Sequence, residues 1–260
     1  MGLQLINKSL WIAFNHRHAL QEIRISKGLQ CNGTPTYDAF AHYSPAPLLY
    51  FDNRTTAELC ASPADLDARF ESLSRRHRLR LLFFGRLHAI KGVHHLIPLA
   101  CALGKQGTDF ELGIAGGGPL RDSVKAEIVE YGLQDQVKLL GTFDFEHELM
   151  PLLRHKVDLF VCPHLQGDPS CTYLETLCAG VPIVGYANEA WRALERLSAA
   201  GRLCPTARPQ ALAIMIAELS ADRESLRQLA EIALAFATQH VFEAEFGRRI
   251  EHLQRLCETA

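Results

Sequence analysis

The chain has 260 residues, 48% hydrophobic and 22% charged, with a formal net charge of −2. That balance fits a folded protein with a full core and argues against a basic nucleic-acid-binding surface. No stretch reaches the roughly 18 consecutive apolar residues of a membrane span, and the opening MGLQLINKSLWIAFNHRH has no cleavage-like small-residue site, so a signal peptide is not expected.

Residues 1–57 contain LWIAFNHRHALQEIR, a helical pattern, then the turn-rich ISKGLQCNGTPTYDAFAHYSPAP and the strand-like LLYF, followed by a helical pattern. These are too few alternations for a second complete sheet domain. Residues 58–78 are expected as a linker, with the cluster RRHRLR (75–80) solvated. From residue 79 to 260, strand and helix patterns alternate. LRLLFFG (79–85), FELGIAGGGP (110–119), VKLLG (137–141), VDLFVCP (157–163) and VPIVGY (181–186) read as strands. Helical patterns occupy 94–107, 120–132, 146–155 and about 170–179, and two or three more close the chain. Apolar strands alternating with helices predict a parallel α/β sheet, Rossmann-like, with helices on both faces. Eight scattered cysteines without a C-x-x-C pair fit a reducing, cytoplasmic setting. Twelve histidines without H-E-x-x-H or Cys/His ligand spacing give no reason to expect a metal.

Ligands of such sheets bind beyond the carboxyl ends of the strands. In GRLHAIKG (85–92), Arg86 and Lys91 suit a diphosphate, the first as a fork and the second as a point charge, although both also read as surface residues. In AGGGPL (115–120), three glycines either allow close approach of a ligand to the backbone or simply make a tight turn before a helix begun by Pro119. The spacing is not G-x-G-x-x-G. In GDPSCTYLETLCAGVPIVGY (167–186), a loop of small and hydroxyl residues enters an apolar helix that carries Glu175. Asp168 fits an N-cap, and Thr172 with Glu175 fits a capping box, yet these place the helix start at different residues. As ligand groups, the loop would offer donors to a phosphate and Glu175 would accept from a ribose diol.

In order along the chain, QCNGTPTYDAF (30–40), FFGRLHAIKG (83–92), GIAGGGPL (113–120), VKLLGTF (137–143) and DLFVCPHLQGDPSCTYLETLCAGVPIVGY (158–186) resemble the segments of the retaining family 4 (group 1) glycosyltransferases of GT-B fold, mainly of their C-terminal domain. The resemblance implies the C-terminal half of a GT-B fold preceded by a remnant of the N-terminal domain. It implies transfer of a sugar from a nucleoside-diphosphate donor with retention, in polysaccharide or cell-envelope synthesis, with no cofactor and no metal. Gly85, Arg86 and Lys91 would hold the diphosphate and stabilise it as it departs. Gly117 and Gly118 would approach the donor, Thr142 and Phe143 would face the base, and Ser170, Cys171 and Thr172 would cradle the phosphates. Glu175 would hold the ribose, and the last helices (about 240–258) would pack back across the interdomain cleft.

Two departures stand out. Gly167 occupies the position of the first glutamate of E-x(7)-E, with Asp168, one residue late and one methylene shorter, as the acid expected to reach the donor sugar in its place. Most of the N-terminal domain is missing, so the chain is expected to bind donor but transfer poorly alone, with an unknown acceptor and with another chain supplying the missing domain. The rival readings are a non-catalytic donor-binding or partner subunit, a nucleotide-sugar 2-epimerase and, more remotely, a nicotinamide dehydrogenase.

Overall fold

The computed structural model describes residues 15–258. Its centre is a six-stranded, all-parallel sheet of β3 (Leu79–Phe84), β4 (Phe110–Ala115), β5 (Val137–Gly141), β6 (Leu159–Cys162), β7 (Ile183–Tyr186) and β8 (Gly201–Cys204), in spatial order β5-β4-β3-β6-β7-β8. Counted within the sheet, that is the doubly wound order 3-2-1-4-5-6. Every residue of β3, β6 and β7 is buried, because helices cover both faces, whereas the edge strand β5 alternates in exposure.

The alternation of side chains along β3 builds two cores. Leu81 and Phe83 face one side, toward α4 (Leu96–Lys105), α5 (Arg121–Glu130) and α9 (Pro209–Ala221). Leu82 and Phe84 face the other, toward α6 (Met150–Lys156), α7 (Cys171–Cys178) and α8 (Glu189–Ser198). The chain changes direction across the sheet between β3 and β6, so the crevice of a doubly wound fold lies between the loops that follow those two strands.

Ahead of this domain, residues 15–25 form a helix, α1, and a single parallel β-α-β unit follows it: β1 (Leu29–Asn32), α2 (Gly33–Phe40) and β2 (Pro47–Tyr50). Residues 10–14 of the helical pattern expected there lie outside the described residues. After α10 (Arg223–Ala237), the last helix, α11 (Phe242–Glu258), returns to this unit. Glu245 Oε2 accepts from Phe51 N at 3.1 Å, Arg249 Nε donates to Gln30 Oε1 at 3.0 Å, and His252 Nε2 meets Ala46 O at 3.1 Å. Helix α11 is thus packed against the N-terminal unit.

Several expectations change. The stretch expected as linker, 58–78, holds α3 (Pro63–Arg76), started by a capping box in which Ser62 Oγ accepts from Asp65 N and Asp65 Oδ2 accepts from Ser62 N. The cluster RRHRLR is not wholly solvated, since Arg76 and Arg80 both pair with Asp158, which is 1% exposed. A buried carboxylate requires such partners. The segment 146–155 is not one helix: a wider turn over Phe145–Leu149, capped by Asp144 Oδ1 accepting from His147 N, precedes α6. Pro119 lies before α5 rather than at its first position. The strand β8 was not anticipated, because four residues between two helical patterns carry no periodicity of their own.

Candidate nucleotide-sugar site

Three loops at the carboxyl ends of the strands interlock through glycine. Gly116 has φ 130° and Gly118 φ 153°. A Cβ on Gly116 would lie 1.9 Å from Gly85 O, and one on Gly118 would lie 2.5 Å from Leu87 O. Leu87 N donates to Gly117 O at 2.8 Å, and Leu120 N donates back to Leu87 O at 3.0 Å. Gly116 and Gly118 of AGGGPL are thus demanded by close contact with the β3 loop, whereas Gly117 is not. Gly92, φ 66°, does the same on the other side, where a Cβ would fall 1.8 Å from Pro163 O in the loop after β6.

The result is an open cleft whose walls include Gly85, Arg86, Gly116, Gly117, Thr142 and Phe143. Arg86 is exposed on its rim, with no ion pair among the described residues. Lys91 lies apart from it. Its ammonium is buried, with the side chain 8% exposed, and reaches Asp168 Oδ2 at 3.2 Å and Oδ1 at 3.3 Å across the β3–β6 switch point. Beside them His164 is buried, and burial, with the Lys91 charge adding to it, pushes its pKa down to about 3. The imidazole is therefore neutral at physiological pH, and neither ring nitrogen has a hydrogen-bond partner among the described residues.

The geometry removes both capping explanations for the acids Asp168 and Glu175. α7 starts at Cys171 with Ser170 as N-cap, and no side chain caps it; Ser170 Oγ instead donates to Thr172 Oγ1 at 3.0 Å. Asp168 is held by Lys91 rather than capping. Glu175 lies too far into the helix for a capping box, on a run buried from Tyr173 to Cys178. Its carboxylate accepts from Arg54 Nε at 2.9 Å. Arg54 lies in a segment that carried no ligand-binding motif, and no local pattern could have found a partner 121 residues away. The Arg54 guanidinium carbon also stands 3.7 Å from the centroid of the Phe145 ring, a cation–π arrangement. Burial raises the Glu175 pKa and Arg54 opposes the rise. A buried carboxylate with a single exposed arginine beside it is unusual for a packing role.

Cys171 and Thr172 form the first turn of α7, where backbone N–H groups lack intrahelical partners and the dipole favours an anion. One end of the N-terminal unit reaches this loop: Gly33, φ 74°, is so close that an added Cβ would stand 2.3 Å from Pro169 Cβ. Among the described residues, no group of three or more His, Cys, Asp or Glu side chains is placed to hold a metal.

The family described as glycosyl transferases group 1 matches residues 66–235, well over half of the chain. The chain belongs to that family. The match takes in every site residue named above from Gly85 to Glu175, and it leaves QCNGTPTYDAF outside. Among relatives of this chain, the amylovoran biosynthesis glycosyltransferase AmsK of Erwinia amylovora is 30% identical over 183 residues, which is 68% of this chain and 43% of that protein. The alpha-D-kanosaminyltransferase of Streptomyces kanamyceticus is 30% identical over 174 residues, covering 65% of this chain and 45% of its own length. The chain thus spans under half the length of these relatives. Among solved structures, Anabaena HepE in complex with UDP aligns with a TM-score of 0.69 at 22% identity, over 91% of this chain and 64% of that one. Sucrose-phosphate synthase from Thermosynechococcus elongatus aligns with a TM-score of 0.71 at 21% identity, over 93% and 61%. These likenesses agree with the α/β fold expected from the sequence. No helix among the described residues is long and apolar enough to cross a membrane.

Proposed function

We propose that this glycosyltransferase chain binds a nucleoside-diphosphate sugar at the β3–β6 switch point and serves sugar transfer with retention at the anomeric carbon. The observation that carries the reading is that Arg86, Lys91 and the N-terminus of α7 all follow β3 and β6, the two strands that flank the switch point, with Glu175 one turn into α7. Arg86 and the first N–H groups of α7 face the diphosphate. Lys91, already in place beside Asp168, stabilises the charge that grows on the leaving diphosphate. Thr142 and Phe143 face the base, and Glu175 accepts hydrogen bonds from the ribose hydroxyls. Fixed charges of this kind need no reorganisation as the glycosidic bond breaks.

A second reading, a donor-binding subunit that completes its cleft with another chain, is favoured by Gly167, which leaves the loop without the glutamate of the family pattern. The two separate in a transferase assay run with this chain alone and with a chain supplying an N-terminal GT-B domain, reading the anomeric configuration of any product by NMR. Transfer by the chain alone supports the first reading, and transfer only with the added chain supports the second. An inverted product refutes retention.

A further inference from the structure

The loop after β6 lacks a side chain at Gly167, and the structure shows what fills the place. A Cβ built on Gly167 would lie 2.8 Å from Glu189 Cβ and 3.3 Å from Glu189 N. Two side chains can leave these positions together only if one of the two backbones shifts. Glu189 is the first residue of α8, and it stands at the carboxyl end of β7, on the ligand side of the sheet. Its backbone is pinned. Asn188 is buried, its side chain accepts from Trp191 N at 2.9 Å, and its Nδ2 donates to His164 O at 3.1 Å in the β6 loop itself. The Glu189 side chain is exposed and makes no ion pair or hydrogen bond among the described residues. The helix dipole favours an acid at this place, but it does not account for the missing side chain opposite.

Asp168, the nearest other acid in the loop, is occupied by Lys91. From these contacts we infer that Glu189 supplies the carboxylate that hydrogen-bonds the hydroxyls of the donor's sugar, projecting from α8 into the space that a side chain at 167 would otherwise enter. The inference rests on the donor-binding reading above. A carboxylate suits this task because it accepts from two vicinal hydroxyls at once, and a charged acceptor makes the stronger bond.

The test compares a free nucleoside diphosphate with its sugar conjugate. UDP, GDP and ADP are titrated first, and the one that binds is compared with its glucose and N-acetylglucosamine conjugates. Glu189→Gln is expected to weaken the conjugate that the wild type prefers by about tenfold and to leave the free diphosphate unchanged. The swap Gly167→Glu with Glu189→Gly is expected to restore much of that preference, with unfolding midpoints confirming that each variant folds. If no diphosphate binds the wild type, the donor-binding reading itself fails. If a diphosphate binds but Glu189→Gln weakens it and its conjugate equally, or changes neither, the assignment of Glu189 is overturned. It is also overturned if the wild type holds no conjugate more tightly than the diphosphate.

Discussion

The two halves of the sheet meet the cleft in different ways. On the β3–β5 side the ligand face is made of backbone: Gly85, Gly116, Gly117 and Gly118 lie in turns whose shape is set by contact between loops, and Arg86 stands free at the rim. On the β6–β7 side it is made of charged side chains, with Asp168 bound to Lys91 and Glu175 to Arg54. The first half supplies space and close approach. The second supplies polar groups fixed before any ligand arrives, so substitutions in the two halves should fail differently, the first through shape and the second through chemistry.

The largest effect should come from the backbone side. Gly116→Val places a branched side chain against Gly85 O at positive φ. Strain and overpacking of this kind cost about 1–3 kcal/mol each, and the loop should shift. Nucleotide affinity measured by calorimetry is expected to fall below detection, with a lower unfolding temperature. A variant that binds normally would show that the glycine turn is not part of the site.

Next comes Lys91→Ala, which removes the cation and leaves Asp168 to repel an incoming diphosphate. Affinity is expected to fall about ten- to a hundredfold, while the unfolding midpoint moves little because Asp168 is partly exposed. Unfolding of the domain would instead make Lys91 a packing residue.

Glu175→Gln sharpens the contrast. Burial raises the Glu175 pKa, so the ionised carboxylate opposes folding at neutral pH, and stability is gained as pH falls through the raised pKa. The neutral variant should therefore unfold at the same or a higher temperature at pH 7. It should also bind nucleotide about tenfold more weakly. A large loss of stability would contradict this.

The smallest and most specific effect is that of Arg54→Gln. Without its guanidinium the Glu175 pKa should rise further, because Arg54 is what opposes desolvation there. Nucleotide affinity of the variant is expected to drop as pH is lowered from about 8 to about 5.5, toward the ordinary carboxylate range of about 4.3, more steeply than in the wild type. A loss independent of pH would assign Arg54 a direct contact with ligand, and a gain would make it a competitor for Glu175.

The sequence disclosed the sheet because its strands are buried on both faces and read as continuous apolar runs ending in glycine, as LRLLFFG does. It also pointed to the loops after the strands, although the contacts show that Gly92, Gly116 and Gly118 are required there by packing between loops. It missed β8, too short for a period, and α3, whose capping box lies in a polar stretch that reads as linker. It left the acids ambiguous for a physical reason. Asp168 and Glu175 each suit a local cap, and only the actual start of α7 at Cys171 and the distant partners Lys91 and Arg54 exclude that. The relation between Gly167 and Glu189 was equally out of reach, because it is a collision between two loops rather than a spacing within one.

The most direct test of the central claim is calorimetric titration of the unmodified chain with UDP, GDP, ADP and their glucose conjugates. The account predicts saturable binding of one nucleoside diphosphate, at one site per chain, lost in Lys91→Ala. If none of these ligands binds, or if binding survives unchanged in that variant, the β3–β6 crevice is not the donor site.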